Sequence, residues 1–234
     1  MRAFALVGSL WWGWVMVLPS AEAPAGRQPG EALRAFHDLI GSWRGTGIPL
    51  VKRADPQRDF WQEEIAWSWK FKGQDAWLVL TINKGRHFTG GELRYLPDTD
   101  RYALSLRTVE GSTRTFVGTL KDRILTVDRT DETTGEHQRL VLTLLHSNRY
   151  LYRYEVKPAD KNAFVRQYQV GATKEGEPFA LGDGKPECIV SGGLGTSPVV
   201  YQGKTYYVCC SGCRDAFRED PEKYIREFEA RKKR

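Results

Sequence analysis

An alternation of apolar and polar residues, repeated in ten short segments, limits the fold of this chain more than any other feature. In one segment, for example, the apolar residues Ile65, Trp67 and Trp69 occupy every second position, and Glu64 and Ser68 are among the residues between them. The ten segments start near residues 43, 61, 76, 87, 101, 113, 123, 137, 149 and 163. Short alternating strands at this spacing predict an antiparallel meander, and closing the meander into a barrel removes its exposed edges. We therefore expect a mainly β fold with a barrel of ten antiparallel strands at residues 31–173.

The N-terminal stretch predicts export. An apolar run over residues 3–18 follows a single positive charge at Arg2, and a small-x-small sequence ends at Ala23. This pattern predicts a signal peptide at residues 1–23, with an uncleaved membrane anchor as the alternative. In either case the rest of the chain lies outside the cytoplasm, so we expect a periplasmic or secreted protein, held to the membrane if the segment stays uncleaved.

The charge distribution argues against a nucleic-acid partner. The net charge is +6, and the last four residues, all lysine or arginine, contribute most of it. The rest of the chain has no basic face interleaved with aromatic residues, which nucleic-acid binding requires. We therefore expect no nucleic acid among the partners.

The start of the predicted barrel resembles that of the lipocalin-like barrels. A short predicted helix over residues 31–40 leads into Gly41-Ser42-Trp43, which resembles their Gly-x-Trp opening. The sequences Gly45-Thr46-Gly47 and Glu63-Glu64 resemble the nitrobindin branch of that group. The resemblance implies a barrel that carries a small apolar ligand or haem.

The resemblance leaves the barrel interior open to two interpretations. A ligand pocket would be lined by four tryptophans: Trp43, Trp67, Trp69 and Trp77. Alternatively, the aromatic side chains fill the interior and the barrel is a scaffold. A haem would need an inward-pointing axial histidine, and the candidates are His37, His87, His137 and His146.

All four cysteines follow the barrel, in a unit of about fifty residues. A unit of this size buries too little apolar surface to be stable on its own and usually adds a metal or disulfides. A linker rich in glycine, proline and charge, at residues 174–187, separates this unit, at 188–230, from the barrel. We expect limited proteolysis of the linker to leave a folded barrel. Within the unit, a hairpin turning at Gln202-Gly203 precedes two helices, the second of which starts at Asp220-Pro221.

This C-terminal unit resembles the YHS/TRASH family of small metal-binding modules. The resemblance rests on Cys188, Tyr201-x-Gly203-Lys204-x-Tyr206-Tyr207-x-Cys209, Cys213, Phe217 and Asp220-Pro221-x-Lys223-Tyr224. It implies that Cys188, Cys209 and Cys213 are ligands for a heavy metal such as zinc or copper. Cys210 is an extra thiol where many members carry serine, and it is either a fourth ligand or a small residue that points away.

The residues themselves support a thiolate site. Two cysteines one helical turn apart and a third from a distant strand can converge on one tetrahedral centre. Residues 185–234 contain no histidine, and no methionine follows Met16. The site is then built from thiolates, with Cys210 or a carboxylate such as Asp215 as the fourth ligand. Thiolates favour zinc or copper(I).

Two other roles for the cysteines remain open. Outside the cytoplasm thiols oxidise, so a structural disulfide would join the elements without a metal. Redox catalysis by Cys210-x-x-Cys213 would need a βαβ context that the sequence lacks. Gly192-Gly193-Leu194-Gly195 precedes no predicted helix, and no catalytic triad or paired-carboxylate pattern stands out. We therefore do not expect an enzyme.

Together these features predict an exported protein that captures, delivers or senses a soft heavy-metal ion through its cysteines. The expected protein partner is a membrane metal transporter or another envelope protein. The alternative is a carrier of a small apolar ligand or haem in the barrel, with the cysteine module as a structural or docking element.

Overall fold

The structure is a computed structural model that describes residues 27–51, 54–55, 57–176 and 186–233. The expected signal peptide and residues 177–185 of the expected linker lie outside these ranges. Within them, no helix is both long enough and apolar enough to cross a membrane.

Ten antiparallel strands form a closed barrel, as the alternation predicts. The strands are β1 Gly41–Pro49, β2 Trp61–Lys72, β3 Asp75–Asn83, β4 Phe88–Leu96, β5 Arg101–Thr108, β6 Thr113–Lys121, β7 Ile124–Thr130, β8 His137–His146, β9 Arg149–Lys157 and β10 Val165–Lys174. Each strand pairs with its sequence neighbours, and β1 pairs with β10 to close the barrel. The predicted fold class, a mainly β barrel followed by a small module with helices and strands, is confirmed.

The alternation works because successive side chains of a strand point to opposite faces of the sheet. In β5, Tyr102, Leu104 and Leu106 are buried inside, whereas the residues between them are more exposed. Between β6 and β7, Asp122 and Arg123 both have positive φ, which is the backbone of a tight two-residue hairpin turn. Local sequence therefore sets both the face and the turn.

Short helices close one end of the barrel. Helix α1, Pro29–Ala32, continues into a 3₁₀ helix, Leu33–Leu39, where the sequence predicts one short helix. The indole of Trp43 donates a hydrogen bond to the Leu39 carbonyl at 2.7 Å and meets the Tyr150 ring edge-on, with centroids 4.7 Å apart. Trp43 thus anchors this helical plug to the barrel wall.

The C-terminal module is a hairpin followed by two helices. Its elements are β11 Ser197–Tyr201, β12 Lys204–Val208, α2 Ser211–Glu219 and α3 Pro221–Lys232. Gln202 and Gly203 form the hairpin turn, both with positive φ. Asp220 caps α3 by accepting a hydrogen bond from the Lys223 amide at 3.1 Å.

The module packs against the end of β2, so that one continuous apolar core includes residues of both parts. A Cβ atom built on Gly212 of α2 would lie 1.6 Å from the carbonyl oxygen of Trp69, so only glycine permits this approach. The ring of Trp69 stacks on Phe71, and Phe71 in turn meets Tyr224 of α3 at a centroid distance of 6.5 Å.

Candidate metal centre

Three separate pieces of backbone carry the cysteines. Cys188 lies beside β12, where it forms an isolated parallel bridge with Tyr207. Cys209 follows the last residue of β12, Cys210 is the N-cap of α2, and Cys213 lies in the first turn of that helix. The hairpin therefore positions one thiol, the helix start positions two, and the loop before the hairpin positions the fourth.

The sulfurs of Cys188, Cys209 and Cys213 all lie within 4.8 Å of one another, and Cys209 Sγ is 3.4 Å from Cys213 Sγ. All three residues are buried, and all four cysteines of the chain are free thiols. Sulfurs bound to one tetrahedral zinc at about 2.3 Å lie about 3.8 Å apart. The spacing of these three sulfurs therefore fits a shared metal ion.

The clustered thiols share their protons unevenly. Hydrogen bonds from the Cys209 and Cys213 thiols lower the pKa of Cys188, and the interaction with Cys188 raises the pKa of Cys209. The Ser191 amide also donates to Cys188 Sγ, at 3.5 Å. Burial raises the pKa of Cys213. Hydrogen bonds with Cys209 and Cys213 likewise lower the pKa of Cys210. The cluster thus favours the thiolate at Cys188 and Cys210 and the thiol at Cys209 and Cys213, whose protons a bound cation would replace.

Of the two candidate fourth ligands, neither lies within the triad of sulfurs. Cys210 Sγ is 3.9 Å from Cys209 Sγ, and Cys210 is only half-buried. Its sulfur accepts a hydrogen bond from the backbone amide of Trp69, in the barrel, at 3.4 Å. Asp215 is exposed on α2 and is not part of the cluster.

The loop that carries Cys188 is braced from two sides, which sequence reasoning missed. From α3, Arg231 Nε donates to the Glu187 carboxylate at 3.0 Å, and its Nη2 donates to the Ile189 carbonyl at 2.8 Å. From the barrel plug, the ring of His37 packs so closely on Gly193 that a Cβ there would lie 3.1 Å from it. Burial, reinforced by nearby positive charge, lowers the pKa of His37 to about 4.

The barrel interior encloses a small apolar cavity of about 40 Å³. That is roughly the space of three water molecules. Its lining comprises Ile65, Trp67, Leu80, Ile82, Phe88, Leu93, Leu104, Leu106, Leu125, Val127, Leu140, Leu142, Tyr150 and Tyr152. The interior is thus mostly filled by side chains.

The four tryptophans proposed for a pocket lie in different places. Trp67 lines the cavity and donates to the Tyr150 hydroxyl at 3.3 Å. Trp43 anchors the plug, and Trp69 lies against the module. Trp77 is on the outer face of β3, where the Arg94 guanidinium lies 4.1 Å from its ring centroid.

None of the four histidines considered as haem ligands is among the cavity-lining residues. His37 lies at the contact with the module. His87 is stacked on Tyr168, with centroids 4.1 Å apart. His137 and His146 are exposed at the two ends of β8.

Comparison with known families identifies the module. Residues 197–227 match the YHS domain, a stretch that includes Cys209, Cys210 and Cys213 and begins after Cys188. A comparison of the chain with curated proteins finds no match. The chain therefore carries a YHS domain behind a ten-stranded closed barrel, and the cysteine cluster with that domain supports metal binding.

Proposed function

We propose that this chain is an exported protein that captures a soft heavy metal, zinc or copper(I), through Cys188, Cys209 and Cys213, for delivery or sensing. One observation carries the proposal: three buried sulfurs from three backbone segments lie within 4.8 Å of one another. The apolar run at residues 3–18 supports export. A membrane metal transporter or another envelope protein would be the recipient.

The chemistry of the donor set supports this metal class. Sulfur is a soft ligand that binds copper(I) and zinc as the thiolate, so binding releases the protons of those cysteines that are still protonated. Competition between metal and protons makes affinity fall as the pH falls. No histidine or methionine in residues 185–234 provides an alternative nitrogen or thioether ligand.

Metal analysis of the reduced full chain tests the proposal. We expect the wild type to bind one equivalent of copper(I) or zinc after anaerobic loading. Cys209→Ser and Cys213→Ser should each lose this tight metal binding. Tryptophan fluorescence provides the folding control, because every tryptophan precedes the module. If the double variant Cys209→Ser/Cys213→Ser retained its metal, or the reduced wild type bound none, the module would be a structural element and the proposal would fail.

The apolar cavity favours a second candidate function, carriage of a small apolar ligand in the barrel. Its lining consists of aliphatic and aromatic side chains, and apolar cavities bind small apolar molecules. Because the cavity holds only about 40 Å³, xenon is the suitable apolar probe, and xenon binding that Trp67→Phe alters would support this candidate. A haem titration without a Soret change would dispose of the haem form of the hypothesis.

A further inference from the structure

We infer that Cys210 is a transfer ligand, which takes the metal ion from a small-molecule carrier in a surface groove and passes it to the three buried cysteines. The inference rests on the proposed function and adds a route and a direction to it. It assigns to the barrel a part in metal uptake, because a barrel strand holds the transfer thiol in place.

The four thiols differ in their access to solvent. Cys188 and Cys213 are fully buried, and Cys209 is 9% exposed. Cys210 is half-buried, and its sulfur lies 3.9 Å from that of Cys209. Cys210 is therefore the outermost thiol, Cys209 is the next most exposed, and Cys188 and Cys213 are the innermost pair.

A groove between the barrel and the module reaches the outer two thiols. It has a volume of about 660 Å³, and Cys209 and Cys210 line it while Cys188 and Cys213 do not. Its other walls include Ser42 and Ala66 from the barrel and Thr196 from the module. This volume lies in the range of small-molecule sites, so it suits a metal ion held by a small chelator.

The barrel fixes the transfer thiol through an unpaired strand end. Pairing of β2 with β1 ends at Trp67, which is opposite Gly41, the first residue of β1. Trp69 lies two residues beyond that point, and its backbone amide donates to Cys210 Sγ at 3.4 Å. The Trp69 amide has no β1 carbonyl to pair with at this point, and its hydrogen bond instead orients the Cys210 thiol toward the groove.

The transfer is a ligand exchange without change of oxidation state. A bond forms between Cys210 Sγ and the incoming metal ion as one bond from the carrier to that ion breaks. Cys209, Cys213 and Cys188 then bind the ion in turn, each protonated thiol releases one proton to solvent, and the remaining carrier bonds break. The bond between Cys210 Sγ and the ion breaks last, and Cys210 takes back from solvent any proton that it released on binding, so it is free for the next ion.

Stopped-flow transfer of zinc from a chromophoric chelator to the reduced full chain tests the inference, together with an equilibrium titration. In Cys210→Ser we expect the rate of zinc uptake to fall on the order of tenfold more than the equilibrium affinity falls. Equal losses of rate and affinity would make Cys210 a fourth permanent ligand, and an unchanged rate would deny it any role. Either result overturns the inference and leaves the proposed function standing, whereas no zinc binding by the wild type would overturn the proposed function itself.

A variant outside the cysteines tests the groove independently. Ala66→Trp fills the groove from an exposed position on β2 and should slow zinc uptake while one equivalent still binds. Ala103→Trp, on β5 and three strands away, is the matched control and should not slow it. Equal rates in the two variants would show that zinc enters by another route.

Discussion

The barrel and the module bury their residues by different means. The barrel encloses aliphatic and aromatic side chains within ten strands, has no free sheet edge and contains no cysteine. The module has two strands and two helices, and three sulfurs lie at the centre of its buried residues. The difference teaches that the barrel is stabilised chiefly by apolar burial within its own closed sheet, whereas the module needs an external contribution.

One such contribution is seen in the structure, and the proposed function would add a second. One is the barrel, which supplies Trp69 and Phe71 as a platform for α2 and α3. The other is the metal ion of the proposed function, which would replace thiol protons with bonds to sulfur. The comparison therefore predicts that perturbing the barrel interior, the contact surface and the module will have separable effects of decreasing size.

Truncation of Trp67 tests the filled barrel and has the largest expected effect. Trp67→Ala should lower the free energy of unfolding by about 3–5 kcal/mol, because it removes a buried ring and its hydrogen bond to Tyr150. Urea denaturation followed by tryptophan fluorescence measures it. Trp77→Ala, on the outer face, is the control and should cost less. A small loss in Trp67→Ala, accompanied by binding of an apolar probe, would show that the interior is a pocket.

The contact between plug and module should be sensitive to pH through His37. Its pKa in the folded protein is about 4, because of burial and the positive charge of Arg34, although Cys188 and Asp38 oppose the shift. As the pH falls from about 6.5 to 4, the unfolded chain takes up a proton that the folded chain does not, so stability falls. The loss should reach at most about 3 kcal/mol.

Unfolding of the metal-free protein at several pH values measures this effect. His37→Gln should lack this component of the slope between pH 4 and 6.5, whereas His146→Gln, at an exposed hairpin turn, should keep it. Parallel slopes in the wild type and in His37→Gln would mean that the histidine is not neutral at the contact.

The cap of α3 tests the module alone and has the smallest expected effect. Asp220→Ala removes the acceptor for the Lys223 amide and should cost about 1 kcal/mol of local stability. Asp220→Asn retains an acceptor and should cost less. Hydrogen exchange of the α3 amides measures both, and the exchange of the barrel strands should not respond. A matching loss of protection in the barrel would show that the two parts unfold as one unit.

Sequence reasoning was most accurate where the signal is local. The ten strands begin within two residues of the predicted positions, because the alternation and the turn residues act over a few residues. The alternation of side chains along a strand also explains the position of Trp77. Ala76 and Leu78 of β3 point inward, so Trp77 between them points outward. The cysteine spacing likewise predicted that three sulfurs would converge, as the structure shows.

The contacts between barrel and module were beyond sequence reasoning. The alternation places Trp69 among the inward-pointing residues of β2. It does not show that β2 extends past the start of β1 and contacts the C-terminal module. His37 on the plug and Gly193 in the module are far apart in the chain, and their contact depends on how the two parts dock. Gly212 in α2 and the paired glycines at 192 and 193 are local signals of a close approach, but they do not show which part of the barrel is approached.

The central claim is that a metal ion stabilises the module, whereas the barrel is stable without one. Hydrogen–deuterium exchange of the reduced full chain, with and without one equivalent of zinc, tests this claim most directly. We expect zinc to slow exchange in the segments around Cys188 and Cys209–Cys213. Exchange in β5 and β6, which are three and four strands away from β2 in the barrel, should not change. Exchange that zinc does not alter in the module, or that it slows equally throughout the barrel, would contradict the account.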